Sequence, residues 1–157
     1  MYKRTHIVSA FLTVLVLIVT PVAVHATDIR IILDGEYVDV EPAPIIIDER
    51  ILVPARAITE MLGGNIGWDP EGRIASLYHA PSSTLIFLTI GSSIAEVSSP
   101  GPESNIIITE VVLDVPVQII DGRMMVPLRF ISDHFDATTN FDYVARTVEV
   151  YTYERYD

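Results

Sequence analysis

The sequence predicts an α+β fold: a single pseudo-symmetric domain made of two strand-strand-helix-strand-strand units, at about residues 28–79 and 84–152. Three observations predict it. The stretch Asp48-Glu49-Arg50-Ile51-Leu52-Val53-Pro54-Ala55-Arg56-Ala57-Ile58 returns as Asp121-Gly122-Arg123-Met124-Met125-Val126-Pro127-Leu128-Arg129-Phe130-Ile131. Landmarks further on return at the same spacing: Trp68-Asp69 with Phe141-Asp142, Arg73 with Arg146, and Tyr78 with Tyr151. Each copy also sets short β-rich runs, punctuated by Gly, Pro and Asp, around one stretch of helical periodicity.

The first 26 residues read as an export signal. Lys3 and Arg4 precede an apolar run from Ile7 to Val24, and Val24-His25-Ala26 is a small-residue cleavage site. Retention as an anchor is the competing reading, because about 20 apolar residues span a bilayer. Thr20, Pro21 and the cleavage triplet favour removal, leaving residues 27–157 as one domain.

Ile29 to Leu33 and Tyr37 to Val40 flank Asp34-Gly35, a turn pair suited to positive φ at both central positions. Pro42 and Pro44 interrupt the chain. Ile45-Ile46-Ile47 and Ile51-Leu52-Val53 then form a second hairpin or corner about Asp48-Glu49-Arg50. Pro54 is expected as the first residue of a short helix, where its missing N–H is no loss. Ala55, Ile58, Met61 and Leu62 share a face, and Gly63-Gly64 stops the helix. Strands follow over Asn65–Trp68 and Ile74–Tyr78, joined by the turn Asp69-Pro70-Glu71-Gly72.

In the second copy, Thr84–Ile90 and Ser93–Val97 read as strands. Ser98 to Asn105 reads as an irregular insertion, with Pro100 to Asn105 lacking a counterpart in the first copy. Ile106 to Val115 returns to strand character, a helix covers Leu128 to Phe135, and Phe141 and Val148-Glu149-Val150 belong to the last strands. One unit alone would cover only one face of a small sheet, so the two are expected to cover each other.

Charge and composition narrow the function. Loss of Lys3 and Arg4 with the signal takes the net charge from −11 to −13. Such a surface repels nucleic acid and anionic lipid, so neither nucleic acid nor, once the signal is cleaved, a membrane is an expected partner. The chain has no cysteine, which excludes thiol chemistry, cysteine metal sites and disulfide support.

The residues that invite chemistry mostly recur in both copies and so read as scaffold. Arg56 and Arg129 enter the helices, with Glu60 and Asp133 four residues on. Asp48 and Asp121 suit turns. His79 and His134 are the only histidines beyond the signal, and neither has a second ligand at metal spacing. Acidic Asp34, Glu36, Asp39 and Glu41 lack the order of a calcium loop. No nucleophile elbow or phosphate loop occurs, so neither a cofactor nor a catalytic set is expected. The positions unique to one copy are the interaction candidates: His134, which stands where the first copy has Met61, and Tyr153 and Tyr156 in an aromatic tail.

Two copies of Arg-x-x-Val-Pro-x-Arg-x-Ile, each with an aromatic-Asp pair about ten residues on, together with Asp34-Gly35 and Ile90 to Ala95, resemble the copper amine oxidase N-terminal-like domain. The resemblance covers residues 28–152, departing from the family pattern at Pro100–Asn105 and at Ala55. It implies a stalk-like, non-catalytic module of secreted bacterial proteins, not the oxidase activity. Phe141 has no hydroxyl to become a quinone, and two histidines cannot supply a three-histidine copper site.

The expected function is a non-catalytic exported binding or scaffold module of the bacterial envelope, its partner a surface protein or wall polymer. Two alternatives stand beside it. One is a small extracytoplasmic hydrolase or metal-dependent enzyme using Asp114, His134 and Asp136. The other is a stalk-like homodimerisation unit, since an exposed edge strand invites pairing. Export predicts that the protein recovered outside the cytoplasm starts at Thr27. N-terminal sequencing checks this, and a chain still beginning at Met1 would mean that the apolar segment stays attached.

Overall fold

The computed structural model describes residues 29–153, and the expected signal and Tyr156 lie outside them. The order is β1 (Arg30–Leu33), β2 (Glu36–Val38), β3 (Ile45–Ile47), β4 (Arg50–Pro54), α1 (Ala55–Met61), β5 (Asn65–Asp69) and β6 (Ile74–His79). It continues with β7 (Thr84–Thr89), β8 (Ile94–Pro100), β9 (Ile106–Val112), β10 (Gln118–Ile120), β11 (Arg123–Pro127), α2 (Leu128–His134), β12 (Ala137–Asp142) and β13 (Thr147–Thr152). The described residues are mostly strand with two short helices, an α+β arrangement.

The described residues form three sheets: β12-β13-β1-β2, β10-β11-β4-β3 and β5-β6-β7-β8-β9. The second of these joins the halves of the chain. β4 lies antiparallel to β11 with Val53 opposite Val126, Pro54 opposite Met125 and Leu52 opposite Pro127. Both valines are fully buried. Residues that recur at the same place in the two copies thus meet across one ladder.

Alternation along these strands explains their unbroken apolar runs. Val53 and Val126 face the main core, while Leu52 and Met125 face a second cluster closed by Val115. A strand buried on both faces needs apolar residues at every step. Each helix leaves its strand at once and packs on the opposite half, α1 on β11 and α2 on β4. Ile58 and Ile131 are fully buried at these contacts.

The turns follow the residues expected of them. Asp34 and Gly35 both take positive φ, 48° and 89°, as a two-residue hairpin requires. The Asp34 carboxylate also accepts from the Thr152 N–H at 2.9 Å and the Thr152 hydroxyl at 2.7 Å, fixing β1–β2 to the end of β13. Asp69 accepts from the amides of Glu71 and Gly72. Asp142 does the same for Val144 and Ala145. The recurring aromatic-Asp pairs therefore end in turn-closing carboxylates.

Several expectations need correction. The two expected hairpins, β1–β2 and β3–β4, both precede α1, so a strand-strand-helix-strand-strand unit is too short for the first half. Pro54 is not the first helical residue; it and Pro127 both lie just outside the helices. They close β4 and β11 in extended conformation (ψ 123° and 121°), and each helix starts one residue later.

Ser98 to Pro100 is ordered strand rather than irregular insertion, paired to β9 as far as Pro100 opposite Ile106. That ladder tolerates Pro100 because its missing donor points away from β9. Only the tip, a 3-10 turn over Pro102–Ser104, is irregular.

The two copies also differ at their outer strands. β7 follows β6 through a short connection and pairs with it antiparallel. β1, with no such tether, lies parallel to β13.

The core predicts a sharp contrast in urea unfolding. Ile131→Ala, at a fully buried contact, should lose about 2–5 kcal/mol. Ile119→Ala, with Ile119 46% exposed on the end strand β10, should stay within about 0.5 kcal/mol.

Candidate functional site

A groove of about 600 Å³ opens where α2, the β3–β4 turn and the segment from β9 to Asp114 meet β12 and β13. Three structural features place its side chains. The β3–β4 turn brings Glu49 and Arg50 to one lip. The first turn of α2 presents Arg129 and Phe130, followed by Asp133 and His134. The β12–β13 turn supplies Tyr143 over Phe141.

Arg50 spans to Asp114, its Nε 2.6 Å from the carboxylate. That hydrogen bond, and then the charge of Asp114, push the guanidinium further above its ordinary value and keep it cationic. Both side chains remain substantially exposed, so the pair shapes the lip more than it stabilises the fold. Glu49 is held at φ 62°, where the second copy has Gly122 at 73°. A glutamate in this left-handed conformation is strained, and such strain is often found where a side chain must be presented.

The recurring arginines now separate. Arg56 pairs with Glu60 at 3.3 Å along α1. Arg129 and Asp133 occupy the equivalent spacing on α2 without forming that bridge, and both line the groove. The sequence reads Arg129 as scaffold like Arg56, and the structure adds that Arg129 faces the groove. The signal that could have marked it lies in the opposite turn, where Tyr143-Val144 replaces Pro70-Glu71. Tyr143 is 81% exposed and meets the Phe141 ring edge-on at 4.5 Å.

His134 lies in the groove wall, half-buried, with Nδ1 2.7 Å from the Phe130 carbonyl and its ring 4.7 Å from the Phe130 ring. If Nδ1 is protonated it donates to that carbonyl and leaves Nε2 as an acceptor. Tyr153 is exposed beyond β13, its N–H donating to the Asp136 carbonyl, and it does not line the groove. Asp114 and His134 share the groove, but Asp136 sits in the left-handed turn after α2 and is not in its lining. Of the Asp114, His134 and Asp136 set, the groove lining therefore holds the first two.

A copper centre does not fit these residues. His79 is buried, stacked on Phe135 at 4.7 Å, with Nδ1 2.7 Å from the Ser82 hydroxyl. Among the described residues no group of three or more His, Cys, Asp or Glu is placed to hold a metal ion. No described helix is long and apolar enough to cross a membrane.

The small α+β scaffold thus carries a surface groove with mixed charges and an aromatic rim. The family follows from the sequence itself: residues 32–150 match the copper amine oxidase N-terminal domain, and the chain belongs to that family. In copper amine oxidases this domain is non-catalytic. No curated protein and no solved structure matches the chain.

Beside the groove, Tyr151 is held protonated. A hydrogen bond to Glu149 and then the carboxylate's charge raise its phenol above the ordinary value. A raised acid favours the protonated folded state, so this contribution is full below the unfolded value and is lost as pH rises through the folded one. Ultraviolet titration of Glu149→Gln should move the Tyr151 transition down toward that of a free tyrosine. An unmoved transition would show that Glu149 does not set it.

Proposed function

We propose that the protein is an exported, non-catalytic binding module of the bacterial envelope, a single pseudo-symmetric domain that uses the α2 groove to hold a surface protein or wall polymer. One observation carries this reading. Among the equivalent helix positions, Arg129 and Asp133 are turned to a groove rimmed by Tyr143, while Arg56 and Glu60 are spent on each other. An exposed tyrosine offers a flat apolar face with a polar tip, suited to sugar rings or peptide side chains. Neighbouring charges of both signs fix orientation without demanding a strongly charged ligand. The apolar segment Ile7–Val24 and its cleavage-like end support export. Membership of a family whose domain is non-catalytic in the oxidases supports binding over turnover.

The test is co-sedimentation of the exported protein with isolated envelope fractions. Tyr143→Ala and Arg129→Ala should each reduce the bound fraction severalfold while leaving the unfolding midpoint unchanged, because both side chains are exposed. Binding that survives the double variant would place the partner elsewhere. Protein free of every envelope fraction would sink the reading.

A further inference from the structure

The end strand of the five-stranded sheet is unusual in both length and chemistry. β9 reads Ile106-Ile107-Ile108-Thr109-Glu110-Val111-Val112, seven residues with one charge and no proline. It pairs with β8 on one side and, among the described residues, with no strand on the other. Ile106 is 73% exposed, Ile108 65% and Val112 77%. Such an edge is a template for another strand, and most proteins blunt theirs with lysine, proline, bulges or brevity. Among the other sheet ends, β2, β3 and β10 have three residues each. β5 has five, and the six-residue β12 carries Thr138, Thr139, Asn140 and Asp142.

The hydrogen bonds specify which groups are open. Gly101 N–H donates to the Asn105 carbonyl and Leu113 N–H to the Ser93 carbonyl. In an antiparallel ladder bonded pairs alternate, so odd-numbered residues from Asn105 to Leu113 bond to β8. Ile106, Ile108, Glu110 and Val112 therefore direct their N–H and C=O groups to the empty side. Their side chains share the outer face with Ile94, Glu96, Ser98 and Pro100 of β8, where Glu96 already stands opposite Glu110.

We propose that this edge pairs with β9 of a second copy of the chain, antiparallel about a two-fold axis at Thr109. The open groups select that register. An axis at Thr109 sets Ile106 against the partner's Val112 and Ile108 against the partner's Glu110, so all four open residues form bonded pairs. An axis at Glu110 would place two glutamates directly opposite, which is unfavourable. An axis at Ile108 would leave Val112 unpaired. On the other face the Thr109 axis joins Ile107 to Val111, and Thr109 to its own copy in a non-bonded site, where threonine pairs are favourable.

A second copy is favoured over an unrelated peptide because β9 is self-complementary at this register: each isoleucine meets a valine or an aliphatic stem, and no like charges are opposed. The result is a continuous ten-stranded sheet, five strands from each copy. The net charge of −11 on each chain opposes association, so salt should strengthen the dimer. A cationic peptide partner would show the reverse.

Sedimentation velocity of the exported protein should reveal a monomer–dimer equilibrium that shifts to dimer with added salt. Cysteine placement tests the axis, against a background with no native cysteine. A non-bonded antiparallel pair brings Cα atoms to about 4.5 Å, within disulfide range. Thr109→Cys should oxidise to a covalent dimer that keeps the native unfolding midpoint, many times faster than the loop control Val144→Cys. Ile108→Pro removes only an outward donor and should yield a folded monomer. A wild-type protein that stays monomeric at every accessible concentration and salt would overturn the proposal. So would a dimer that Thr109→Cys locks no faster than Val144→Cys, since its interface would lie elsewhere.

Discussion

The pairing of β4 with β11 is the contact on which the rest depends. Val53 and Val126 lie opposite one another, fully buried, in the middle of a sheet covered on both faces. Each strand then ends at a proline, and the chain passes directly into a helix that packs on the other half. Neither half can close its core alone, because α1 needs β11 and α2 needs β4. Breaking that ladder would expose both helices' buried faces together.

The groove is a by-product of this arrangement, used unequally by the two halves. Each helix carries an arginine and an acid four residues apart, yet only α1 forms the bridge. At α2 the arginine and acid share a cleft with Tyr143, which stands where the first copy has a proline in a closed turn. The Asx turn is retained in both halves by Asp69 and Asp142. The turn's geometry is thus kept while its exposed residues change.

Much of the element order was legible from local chemistry. Asp34-Gly35 announced a two-residue hairpin because glycine and aspartate tolerate positive φ, and both residues adopt it. Gly63-Gly64 marked the end of α1, and the apolar spacing of Ile58 and Leu62 marked its buried face. Boundaries were less legible. Pro54 and Pro127 suit a strand end as well as a helix start, since φ near −60° serves both. Pro100 looked like a strand breaker, but its place on the ladder makes its missing N–H harmless.

The sequence by itself determined the α+β class, the two helices and the turns, because these rest on residue-level preferences and spacing that operate over a few positions. It also carried the family, through motifs recurring along nearly the whole chain. The tertiary structure alone decided that Arg129 differs from Arg56, that Asp114 is tied to Arg50 and that His134 lines a groove whose lining does not include Asp136. It also decided that β9 ends its sheet, with its outward groups unpaired among the described residues. These are facts about which distant segments meet, and the burial that sets them is shared by the whole core rather than encoded at any one position.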